Sequence, residues 1–193
     1  MSDFRVAEKR VREAMASADL AVARRVIRAE ISGLESLAEA LDGAFEAAVD
    51  ACAAVRGRIV VTGLGKSGHI ARKIAATLAS TGTPAQFVHP VEASHGDLGM
   101  IGSEDAVLAL SNSGETTEFA DIVAYSRRCN IPLIAITGGA RSTLAAAADV
   151  VLLLPAAAWS CRSTSSRLNA PGFWRGGNLT KSAICCATSP CIS

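Results

Sequence analysis

Near the start of the chain apolar residues recur every three to four positions: Ile27, Ile31, Leu34, Ala38 and Leu41 share one stripe, continued by Phe45, Val49 and Cys52. That spacing is the period of an amphipathic α-helix, so residues 4–56 are expected to form two or three helices. Such a helical arm must bury its stripe on its own core or on a second copy of the chain. From Arg58 the period changes. Short runs rich in β-branched residues at 58–62, 85–88, 106–110, 132–136 and 150–154 read as five buried strands. Helical patterns lie between them, notably over 67–80 and 117–128. This alternation predicts an α/β fold: a five-stranded parallel sheet, doubly wound in the flavodoxin-like manner and preceded by N-terminal helices. The expected organisation is an arm over 1–56, a core over 57–155 and a tail of different character over 156–193.

Composition narrows the classes of function. Of 193 residues, 50% are hydrophobic and 19% charged, enough apolar material for a core and no case for global disorder. The net charge of +1 gives no general field toward nucleic acid or a membrane surface. In residues 1–56, 8 basic side chains face 10 acidic ones, so the arm is expected to repel a phosphate backbone rather than read one. The opening Met-Ser-Asp-Phe-Arg-Val-Ala-Glu-Lys-Arg is charged where a secretory leader needs an apolar run. The apolar stretch 144–159 is broken by Asp149 and Pro155 and falls short of the roughly 20 residues that span a bilayer. A cytoplasmic protein with no membrane segment is expected, with Cys52 and Cys129 as reduced core thiols.

In a parallel sheet of this kind ligands bind beyond the carboxyl ends of the strands, near the point where strand order reverses. Two loops there are rich in glycine and hydroxyls. The first, Thr62-Gly63-Leu64-Gly65-Lys66-Ser67-Gly68-His69, is too short between glycines to be a triphosphate-binding loop, and its third glycine is misplaced for a dinucleotide fingerprint. Taken alone it is equally a tight strand-to-helix turn. The second, Ser111-Asn112-Ser113-Gly114-Glu115-Thr116-Thr117-Glu118, crowds small hydroxyls at a helix start. There they could surround a phosphate monoester, helped by unpaired amides and the positive end of the helix dipole. Plain capping by Ser113 or Thr117 is the alternative, since caps use the same residue types.

Together these loops resemble the sugar isomerase (SIS) family of phosphosugar-binding domains. Gly-Lys-Ser-Gly-His-Ile, Ala-Ser-Thr-Gly-Thr-Pro, Val-His-Pro and Ala-Ser-His-Gly-Asp-Leu-Gly-Met within residues 60–113 look like its arabinose 5-phosphate isomerase branch, and the likeness extends over about residues 20–155. The resemblance implies a phosphate site at Ser67, Ser111, Ser113 and Thr116, with Gly65 and Asn112 also binding substrate and Gly82, Thr83, His89 and His95 close to the sugar. It implies an aldose-ketose isomerase acting on arabinose 5-phosphate and ribulose 5-phosphate, for synthesis of an envelope sugar acid. That reaction passes through an enediolate and needs an acid/base pair and a donor to the developing oxyanion. Lys66, Glu118 and His95 are the catalytic candidates, Lys66 as a fixed cation and Glu118 as the acid/base. His69, inside a helix-start pattern, remains a structural residue or a site residue. No cofactor is implied for turnover. A zinc ion at His89 is the one metal the resemblance suggests, although a single histidine is not a metal site. The amphipathic arm suggests a homo-oligomer, with the pocket completed between subunits as the resemblance implies; the expected ligand is a small sugar phosphate, and the charge balance of the arm speaks against a nucleic-acid partner.

After strand five the chain departs from the family pattern. Trp159 stands where the resemblance implies a glutamate, no Glu follows Glu118 and no His follows His95. Residues 156–193 hold Cys161, Cys185, Cys186 and Cys191 with no sustained period and read like out-of-frame sequence. Loss of the closing helix is expected to uncover part of the sheet at 150–154. A non-catalytic phosphosugar sensor of the same family is therefore the alternative function.

Overall fold

The computed structural model describes residues 2–155, so the tail over 156–193, with Trp159 and its four cysteines, lies outside the described residues. The described chain falls into two compact units, residues 2–39 and 40–155. The first is one helix, α1 (Ser2–Ala40), of 39 residues. Where two or three helices were expected over 4–56, the structure has this long helix and α2 (Gly43–Ala53), capped by the Asp42 carboxylate, which accepts from the Ala44 N–H. Leu20, Ile27, Ile31 and Leu34 of α1 are exposed. α2 belongs to the second unit.

The second unit is built on five parallel strands: β1 (Ile59–Gly63), β2 (Ala85–Val88), β3 (Ala106–Leu110), β4 (Leu133–Thr137) and β5 (Val150–Leu153), in the order β2-β1-β3-β4-β5. The expected sheet is thus present with every strand within a residue of its expected span. Helices α3 (Gly65–Ser80), α4 (Pro90–Ser94), α5 (Ala120–Cys129) and α6 (Thr143–Ala147) connect them. Two of these, α4 and α6, are five residues long and have too few positions to show a helical period.

Alternate residues of each strand face opposite layers of core, as the pleat requires. Ile59, Val61, Leu108, Leu110 and Ile134 pack with Ala71 and Ala75 of α3 and Ala48 of α2. Val60, Val107, Ala109, Leu133 and Ala135 pack on the other side with Ala93, Phe119, Ile122 and Leu144. Both faces being covered explains why β1 and β3 are buried at every position and read as continuous apolar runs. At the far edge, Val150 and Leu152 of β5 pack in the layer that holds α2, while Leu153 is 47% exposed.

The order reverses between β1 and β3. There Gly63 pairs with Leu110, so the chain leaves both strands side by side at the carboxyl edge. Thr62 pairs with Val88, which brings the segment following β2 to the same edge. The sheet therefore delivers the loops after β1, β2 and β3 to one place.

Candidate functional site

The loop after β1 enters α3 through Leu64 and Gly65, the latter at φ +55. Leu64 stands in the capping position and offers no side-chain acceptor to the first turn. Asp42 caps α2, His89 caps α4 and Ser142 caps α6, each through a side chain, whereas α3, like α5, starts without one. An uncapped start leaves amide donors of the first turn directed at the switch point, where an anion can meet them. Ser67 is buried in that turn, while Lys66 and His69 lie on its exposed side.

The loop after β3 is shaped by its own hydroxyls. Ser111 and Thr116 place their side-chain oxygens 2.9 Å apart, and the Gly114 N–H donates to Ser111 Oγ at 3.1 Å. Whichever of the two hydroxyls donates to the other, one hydroxyl proton is left over for a ligand. The Glu115 N–H donates to Ser113 Oγ at 3.3 Å. Neither threonine caps the 3-10 turn Thr117–Phe119: Thr116 precedes it without a side-chain cap bond, and the Thr117 hydroxyl donates to Glu118 Oε2, while the serines accept amides within the loop itself. Asn112 and Ser113 are exposed, and the Asn112 carbonyl accepts from the Gly138 N–H, tying this loop to the one after β4.

Gly114 is fixed by more than its φ of +68. A Cβ there would lie 2.0 Å from Ser142 Oγ and 2.9 Å from Thr137 Oγ1, so the loop lies directly on the start of α6. The Leu144 N–H donates to the Gly114 carbonyl at 3.0 Å. The Glu115 carboxylate accepts from the Thr143 N–H at 2.9 Å and from the Thr143 hydroxyl at 2.7 Å. Those two bonds hold Glu115 below the usual carboxylate range. The partner of Glu115 lies on α6, an element of five residues, too short to be visible in the sequence.

After β2, His89 caps α4 by accepting the Val91 N–H on Nδ1 at 3.3 Å, with its ring edge-on to Phe87. His95 ends α4 and is exposed, as is Glu118. Thus Gly65, Lys66, Ser67, His89, His95, Ser111, Asn112, Ser113, Thr116 and Glu118 all follow the carboxyl ends of three neighbouring strands. Gly82 and Thr83 do not. They join α3 to β2 and so stand at the amino edge of the sheet, about 15 Å away along a strand of this length. The zinc suggested at His89 finds no support: one ring nitrogen is engaged with backbone, and no cluster of three His, Cys, Asp or Glu capable of holding a metal occurs among the described residues.

A cavity of about 550 Å³ also opens at the amino edge, lined by Arg58, Gly82, Gln86 and Asp105 among others. Its polar side chains pair with one another or with nearby backbone. Arg58 donates to Gln86, and the Asp105 carboxylate accepts the Arg58 and Gly102 amides. The chemistry therefore points to the carboxyl edge rather than to this hollow.

The family model described as SIS domain matches residues 54–170. An arabinose 5-phosphate isomerase KdsD of Pseudomonas aeruginosa is 52% identical over 130 residues, 67% of this chain and 40% of that protein. The KdsD of Escherichia coli K12 is 46% identical over 138 residues, 72% of this chain and 42% of that protein. The chain thus spans about two fifths of the length of the curated relatives it matches. Among solved structures, a protein of Escherichia coli CFT073 in complex with arabinose 5-phosphate superposes with a TM-score of 0.67 at 38% identity, covering 70% of this chain and 72% of that one.

Proposed function

The chain belongs to the SIS domain family, and we propose that within it the chain serves as the sugar-phosphate domain of an arabinose 5-phosphate isomerase. The observation that carries this reading is the pairing, at the sheet's switch point, of an uncapped α3 start with the Ser111–Thr116 hydroxyl pair. Amides and hydroxyls there fit a single phosphate monoester. The KdsD relatives and the complex with arabinose 5-phosphate support the identity of the sugar.

In this reading Gly65, Ser67, Ser111, Asn112, Ser113 and Thr116 hold the phosphate, with His89 and His95 beside the sugar. Lys66 faces the oxyanion of the enediolate, and Glu118 carries the proton between adjacent carbons, with His95 assisting. Gly82 and Thr83, at the opposite edge, reach a sugar only in a second copy's site, so their role depends on a homo-oligomer. No cofactor is required, and the product feeds synthesis of a sugar acid for envelope polysaccharide. No helix among the described residues is long and apolar enough to cross a membrane, which fits the proposed cytoplasmic setting.

A second reading, a phosphosugar sensor without turnover, is favoured by Trp159, which stands where the resemblance implies a glutamate. One experiment separates the two: calorimetric titration of the full chain with arabinose 5-phosphate, followed by an assay for ribulose 5-phosphate. Turnover supports the isomerase and saturable binding without turnover the sensor. A folded chain that binds no pentose phosphate overturns both.

A further inference from the structure

We infer that Glu115 is a positioning residue, whose two bonds to Thr143 hold the 111–116 loop against the first turn of α6 in the shape that receives phosphate. The inference rests on the phosphate-binding reading of that loop and assigns a role to a side chain that reading leaves unused. The geometry is a closed ring of contacts. From the loop, Glu115 accepts both the N–H and the hydroxyl of Thr143. From the helix, the Leu144 N–H donates back to the Gly114 carbonyl. Between these bonds Gly114 packs on Ser142 with no room for a side chain, and a Cβ on Gly139 would lie 2.3 Å from the Ser113 carbonyl oxygen.

The ring matters because of what it orders. Gly114 donates to Ser111 Oγ, and Ser111 bonds Thr116. Releasing Gly114 therefore loosens the hydroxyl pair itself. Glu115 thus acts on a ligand only through backbone, two bonds away from the hydroxyls that would touch it. A carboxylate accepting from both donors of one threonine also fixes the direction in which the loop leaves Thr116. The loop and α6 are otherwise joined through backbone groups and glycines, so the side-chain pair is the part of the clamp that mutation can remove cleanly.

The test uses the full chain as wild type, Glu115→Ala, Glu115→Gln and Thr143→Val, with two readouts: affinity for arabinose 5-phosphate by calorimetry, and hydrogen exchange at the Gly114 and Leu144 amides without ligand. Glutamine can still accept the Thr143 N–H and can donate to its hydroxyl, so it should rescue the clamp where alanine cannot. Glu115→Ala, which removes both bonds, should weaken binding and speed exchange by about tenfold, Thr143→Val, which keeps the backbone N–H bond, by about threefold, and Glu115→Gln should stay within about threefold of wild type. The double change Glu115→Ala with Thr143→Val should be no worse than Glu115→Ala alone. Unchanged exchange in Glu115→Ala would overturn the inference. So would Glu115→Gln losing affinity as fully as alanine while its exchange stays native, since Glu115 would then touch the ligand. If wild type binds no sugar phosphate, the phosphate reading fails, and the exchange data alone decide whether Glu115 orders the loop.

Discussion

Gly63 and Gly68 meet across the entry to α3 so closely that neither can carry a side chain: a Cβ on Gly68 would lie 2.7 Å from the Gly63 carbonyl oxygen, and one on Gly63 2.8 Å from that of Ser67. This contact pulls the start of α3 down onto the end of β1 and sets where the uncapped amides point. Gly63→Ala and Gly68→Ala should therefore each cost about 1–3 kcal/mol by overpacking against backbone. Gly65→Ala has open space around its Cβ but a φ of +55, so its cost should be the smaller conformational strain of about 1 kcal/mol. Urea denaturation of the three variants tests the order.

Ser111→Ala should do two kinds of damage. Removing the hydroxyl strips the buried Gly114 N–H of its acceptor, a loss of about 1–3 kcal/mol in stability. Thr116→Val keeps that acceptor and removes only the second hydroxyl, so it should weaken sugar-phosphate binding with a smaller effect on unfolding. Equal losses of stability in the two variants would contradict this division of labour.

The sequence displayed the sheet and both loops, and the reasons are local. Runs such as Ile59-Val60-Val61 and Leu133-Ile134-Ala135 are buried on both faces, so each declares itself without help from its neighbours. What stayed hidden depends on contacts across the chain. The Glu115–Thr143 pair joins residues 28 apart, and α6 at one end of it spans five positions, too few for a helical pattern. Topology could have located Gly82 and Thr83: a turn leading into a parallel strand must lie at the amino edge, and the expectation that placed them by the sugar came from resemblance alone. At α2 the continuing apolar stripe suggested one arm, but the stripe cannot say that Ala48 turns into the core beside Ile59 and Val61.

Acid should loosen the 111–116 loop in a particular direction. The Thr143 hydroxyl, and after it the Thr143 N–H, hold the Glu115 carboxyl below its ordinary value in the folded state. A carboxylate depressed in this way stabilises the fold fully above its unfolded value, and the benefit disappears as pH falls through the lowered folded value. Thermal unfolding of wild type and Glu115→Gln compared from about pH 7 down to about pH 3 should show wild type ahead at the upper end and the gap closing toward the lower. A gap that widens with acid would contradict the assignment.

His89 should be found in one tautomer. Because its Nδ1 accepts the Val91 N–H, the neutral ring must carry its proton on Nε2. Nitrogen-15 spectra of the neutral imidazole should report Nε2–H. His89→Asn, which preserves an acceptor for the α4 start, should then keep more stability than His89→Leu, the difference being about 1 kcal/mol. An Nδ1–H signal would show that the ring does not cap the helix.

The packing of α2 against β5 joins the earliest and latest elements of the second unit. During synthesis, the layer that holds Ala48 and Cys52 cannot be completed until Val150 and Leu152 have left the ribosome. Closure of this unit is therefore a late event in the life of the nascent chain, and until then one layer of the sheet stands open to chaperones or to aggregation.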